Sequence, residues 1–165
     1  MFSQQILEML RAKREQWQPG AGKSWSGRIG EVSVQVVVRD FDKFGYLLDE
    51  VEVQADAPIT SDDCKAFVAR VTYLTERLRL VEWDDGRGGV LRSEPSELDP
   101  DALAYFEFAL RVGSAKLQRF TCGAPRQRVE FHLTERQFGR LLDDMVMMSA
   151  GQRTPSRLHP VVTSA

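Results

Sequence analysis

The sequence predicts an α+β fold in a single domain: a mostly antiparallel sheet of about seven strands with three helices. Three observations carry this expectation. Apolar residues recur at helical spacing in three stretches and at every second position in the stretches between them. The strand-like segments follow one another across short turns, with no β-α-β alternation that would demand a parallel sheet. A chain of 165 residues, 42% hydrophobic and 28% charged, also has the size and make-up of one compact domain. The expected order is α-β-β-α-β-β-β-β-β-α, with the sheet either open or curled strongly toward a barrel.

The first helix is expected over Ser3–Trp17, with Ile6, Met9, Leu10 and Trp17 on one stripe and Ser3 as its N-cap. "PGAGKSW" (Pro19–Trp25) follows. It ends like a phosphate-binding loop, but five positions before Gly22 stands Trp17 where that motif needs glycine. A helix precedes the loop and a strand follows, the reverse of the arrangement that gathers backbone N–H groups on phosphate. The stretch reads as a helix stop at Pro19-Gly20 and a connector, with Lys23 a solvated loop residue. Val32, Val34, Val36 and Val38 then alternate with Ser33, Gln35, Val37 and Arg39, and Leu47, Val51 and Val53 with Glu50, Glu52 and Gln54, giving two strands buried on one face.

The second helix opens after "PITSDD", its apolar stripe running from Cys64 through Phe67, Val68, Val71 and Leu74 to Leu78. "LVEWDD" and "GVLRSE" flank a glycine-rich turn and predict a hairpin. "ALAYFEFALRV", "AKLQRFTC" and "RQRVEFHL" continue as a meander after the loop Arg92–Ala102. The near-continuous apolar run in "ALAYFEFAL" predicts a strand covered on both faces. The third helix carries the clearest start signal: Thr134 with Gln137 as a capping box and Leu133 with Phe138 as a hydrophobic staple. Residues 1–148 are expected to form the domain and residues 149–165 a flexible tail.

Bulk composition excludes some classes of function. The net charge of −2 provides no global basic field for nucleic acid. Two distant cysteines predict reduced thiols, no stretch has the apolar length of a membrane span, and no signal peptide is recognisable, so a cytoplasmic protein with no membrane partner is expected. The excess of arginine over lysine points to a GC-rich, bacterial coding bias. His132 and His159 lack a partner at ligand spacing and no thiol pair exists, so no metal or cofactor site is expected. Cys64 lies on an apolar stripe and reads as structural. Asp143 and Asp144, about 100° apart on a helix, read as a solvated polar face.

Two features remain. From Phe108 to Val129 there are five basic residues and no acidic one, whereas Asp40–Asp63 carries eight acids and a single lysine. Arg126 and Arg128 share a strand face with His132, and Arg111 projects from the same side. With Arg119 these make a candidate anion-binding set, with Tyr105 and Phe120 as the nearest stacking platforms. The turn "DFDKFGY" adds Phe41, Phe44 and Tyr46, a candidate partner surface. No catalytic constellation converges. The expectation is a non-enzymatic binding or adaptor module, chaperone-like and homodimeric, built for protein binding. The alternative is a binder of an anionic ligand, nucleotide or single-stranded nucleic acid, along the arginine face. A small enzyme using Arg128, His132 and Glu130 or Glu107 comes third.

Overall fold

The computed structural model describes residues 2–18, 22–95 and 103–150. Pro19-Gly20, the centre of the loop expected over Arg92–Ala102, and residues 151–165 of the expected tail lie outside the described residues. The elements run α1 (Phe2–Arg14), β1 (Lys23–Ile29), β2 (Val32–Phe41), β3 (Gly45–Gln54), α2 (Ser61–Arg70), β4 (Leu78–Asp84), β5 (Gly88–Ser93), β6 (Ala104–Arg111), β7 (Ser114–Thr121), β8 (Arg128–Val129), β9 (Phe131–Thr134) and α3 (Glu135–Ala150). The α+β architecture is the one expected, with an antiparallel sheet in the order β1-β2-β3-β7-β6-β5-β4. This path ends on two edges, β1 and β4, so the sheet is open and does not close into a barrel.

Four local expectations are corrected. Lys23 opens an edge strand, β1, which pairs with β2 from Lys23↔Val38 to Ile29↔Val32. The last expected strand breaks at Glu130: β8 pairs with β7, while β9 pairs with β3. Helix α2 stops at Arg70 although Val71, Leu74 and Leu78 remain buried. β-Branched Val71 and Thr72 favour leaving the helix, and the extended chain keeps those side chains in the core. Ser3 lies inside α1, and both its N–H and its hydroxyl donate to Asp143 of α3. Helix α3 continues past residue 148 and keeps Ser149 and Ala150 buried.

All three helices lie on one face of the sheet. Ile6 and Leu10 of α1, Cys64 and Phe67 of α2, and Phe138, Leu141 and Met145 of α3 join alternate strand residues, among them Val36, Val51, Phe108 and Leu117, in a single core. Edge-to-face contacts fix its centre, with Phe67–Phe108 centroids at 5.1 Å and Tyr46–Phe138 at 5.5 Å. The expected capping box of α3 is present, with Thr134 Oγ1 accepting from Gln137 N–H and Gln137 Oε1 from Thr134 N–H. Helix α2 has the same device in Thr60 and Asp63.

The runs α1-β1-β2-β3 and α2-β4-β5-β6 share an element order and flank β7 from opposite sides. Every neighbouring pair being antiparallel, β3 and β6 run in the same direction. With both helices on one face, the two runs are related by reflection and are not copies of one unit.

Candidate functional site

The face of the sheet away from the helices is built by the other alternate residues of each strand. On β6 and β7, Tyr105 lies across from Phe120, Glu107 from Gln118, and Ala109 from Lys116. At its centre Glu107 is only 7% exposed, although no helix among the described residues covers it. Two arginines do. Arg126, from the segment before β8, donates from Nη1 to Glu107 Oε1 at 2.8 Å and to the Tyr105 hydroxyl at 3.1 Å, its guanidinium 3.9 Å from the Phe120 ring centroid. Arg92, opposite Glu107 on β5, donates from Nε to the same oxygen at 2.9 Å and lies 5.6 Å from the Tyr105 centroid.

Desolvation alone would raise the Glu107 pKa, but the hydrogen bonds and charges of Arg126 and Arg92 outweigh it and leave the carboxyl below the usual range. The hydrogen bond to Glu107, followed by that to Tyr105, raises the pKa of Arg126. The face of β6 expected to be covered by other elements is thus covered by guanidinium groups. The Tyr105 and Phe120 platforms each already hold an arginine.

Beside this cluster runs an acidic ridge. Register shifts in the β2–β3 pair, at Val37/Val38 and Val38/Asp40, let β3 present Asp49 and Glu50 in succession, with Glu52 next on the same side. Arg39 Nε lies 3.0 Å from Asp49 Oδ2 and 3.7 Å from Glu130 Oε2 in ion pairs. Across the seam to β7, Gln118 Nε2 donates to Glu50 Oε1 at 2.8 Å, and Lys116 lies opposite Glu52 in register.

The structure divides the expected anion-binding set. Arg111, Arg126, Arg128 and His132 lie on the open face, Arg128 opposite Phe120 and His132 opposite Leu47. Arg119 points to the helix side, alongside Phe106. There its two terminal nitrogens meet the two Glu76 oxygens at 3.1 and 3.0 Å, and Ser93 Oγ donates to Glu76 at 2.7 Å. Arg111, Arg128 and His132 make no side-chain hydrogen bond or ion pair among the described residues.

The aromatic turn is divided too. Phe44 is 65% exposed, while Phe41 is half-buried against Trp17 and Tyr46 is fully buried. Burial raises the Tyr46 pKa. Asp42 Oδ1 accepts the N–H groups of Phe44 and Gly45 at 2.7 and 3.0 Å, which holds its carboxyl below the ordinary range.

The adjacent aspartates of α3 are anchors rather than a solvated face. Asp143 takes Ser3 of α1, and Asp144 takes Arg70 Nε at 3.1 Å and the Tyr73 hydroxyl at 2.7 Å. The 100° between neighbouring positions sends one carboxylate to each flanking helix segment. Cys64 is buried, and desolvation, then Asp63, pushes its thiol up to about 11. Among the described residues no three His, Cys, Asp or Glu side chains group closely enough to hold a metal ion, and no helix is long and apolar enough to cross a membrane.

Sequence reasoning passed over the pivotal residues Arg92, Glu76 and, as a bridge, Glu107. Glu107 did leave a signal, as the lone carboxylate in "ALAYFEFAL". Comparison with protein-family models, with curated proteins and with solved structures gave no significant match to this chain.

Proposed function

We propose that this chain is a non-enzymatic binding module that works as a homodimer, with the helix-free face of the sheet as its working surface. The observation that carries the reading is that face itself. It leaves aliphatic Val37, Leu47, Val90 and Ala109 half-buried among charges already held in defined positions. Preorganised charge interleaved with aliphatic surface suits protein recognition, since little side-chain freedom remains to be lost on binding.

A binding role also accounts for the fate of the chemical groups. Catalysis needs an acid, base or nucleophile free to reach one substrate atom. The most buried carboxylate on this face is engaged by two guanidinium groups, and the buried thiol is raised out of reach. The anion-binding alternative has lost ground as well, because Arg119 and Arg126 already hold internal carboxylates.

The test is oligomeric state by sedimentation velocity and light scattering at tens of micromolar. The expected mass is twice the 18.7 kDa of one chain. A monomer throughout that range would overturn the homodimer.

A further inference from the structure

Both edges of the sheet are guarded against strand addition. Edge strand β1 exposes Lys23 and Arg28, and β4 is interrupted by a register shift between Leu80 and Glu82. The open face is large enough to serve instead. Seven strands about 4.8 Å apart and some eight residues long span about 800 Å², the area each partner contributes to a standard stable interface. Apart from Arg39 and Glu130, the arginine pairing with both Glu130 and Asp49, its charge is split along one line, the seam between β3 and β7. Asp49, Glu50 and Glu52 lie on the β3 side, Lys116 and Arg128 on the other, and Glu52 faces Lys116 across it in register.

We infer, resting on the homodimer reading above, that a second copy of the chain covers this face about a two-fold axis running along the β3–β7 seam. Such an axis lies parallel to the strands and exchanges the two sides of the seam. It sets the acidic ridge of each copy over the basic side of the other, with Glu52 of one copy across from Lys116 of the other, twice. A two-fold interface must be self-complementary, and a surface divided into opposite charges along a line satisfies that condition about that line. The half-buried Leu47 and Val37 beside the seam supply its apolar contacts, Phe120 being covered by Arg126. Arg92 and Arg126 remain on Glu107, and the one positive charge they leave unbalanced adds to the basic side.

Charge reversal on one side at a time provides the test. In Glu50→Lys/Glu52→Lys both halves of the interface carry net positive charge, Asp49 being balanced by Arg39, and in Lys116→Glu/Arg128→Glu both carry net negative charge. Each variant alone is expected to dissociate at least about tenfold more readily than the unaltered chain. An equimolar mixture is expected to recover a dimer, as each substituted residue then faces an opposite charge. Circular dichroism checks that each variant is folded, and the single changes Glu52→Lys and Lys116→Glu repeat the test where a double variant is not. Variants that dimerise as well as the unaltered chain, or folded variants that stay apart when mixed, would place the interface elsewhere and overturn the inference while leaving the homodimer standing. An unaltered chain that is itself monomeric would remove the homodimer and leave the face to a different protein.

Discussion

Replacing Glu107 by glutamine separates what charge contributes to the open face from what packing contributes. One carboxylate oxygen accepts from both Arg126 and Arg92, while those arginine side chains remain 43% and 39% exposed. A pair with one member in water contributes about 0.2–1 kcal/mol, well short of a sealed ion pair. Two such pairs, with the stacking of Arg126 on Phe120, amount to about 1–2 kcal/mol. Glutamine keeps a carbonyl oxygen in place and loses the charge, so the expected loss is about 1 kcal/mol, or about 2–4 °C in Tm for a domain of this size.

The pH dependence supplies a second reading. The folded pKa of Glu107 lies below its ordinary 4.5, so the unfolded chain binds the proton more readily. The stabilisation is therefore complete above that ordinary value and is lost as pH falls through the folded one. Urea unfolding followed by tryptophan fluorescence, for the unaltered chain and Glu107→Gln in parallel, reads both effects. The gap between the two midpoints should be widest at neutral pH and close in acid. Equal midpoints at neutral pH, or a gap unchanged in acid, would refute an ionic origin for the cluster.

Two further outcomes are expected. A Cβ on Gly45 would stand 2.2 Å from the Leu133 carbonyl oxygen and 2.9 Å from Thr134 Cα, both backbone, so Gly45→Ala should force β3 and β9 apart and destabilise by about 1–3 kcal/mol. Thermal unfolding measures this, and an unchanged Tm would contradict the close strand approach. A chromogenic disulfide reagent at mildly alkaline pH should label exposed Cys122 quickly and buried Cys64, with its pKa near 11, only after denaturant is added. Two rapidly labelled thiols would contradict the packing of α2.

Local signals carried the elements whose neighbours in sequence are also their neighbours in space. The capping box and apolar stripe of α3 and the alternation of β2 were legible for that reason. Edge strand β1 was not, because only Trp25 and Ile29 of its seven residues are buried. The end of α2 was misread because Val71, Leu74 and Leu78 keep helical spacing after the backbone has left the helix. Arg119 is the clearest miss at the site. Alternation places its side, but its partner Glu76 lies 43 residues earlier, and no pattern in the chain announces that pairing. Residues that look available for a ligand are often spoken for by a carboxylate that only the folded chain brings near.

The place of β7 has a consequence for how the protein is made. The strands on either side of it, β3 and β6, are synthesised earlier, and only β7 and the later β8 and β9 lie between them. Until β7 leaves the ribosome, the nascent chain holds two half-sheets with bare inner edges. The first turn of α1 meets Asp143 only when almost the whole domain has emerged. Assembly from such distant pieces is slow and leaves apolar strands unguarded for longest at its middle. A chain stopped after β6 would therefore be two sticky fragments rather than most of a protein.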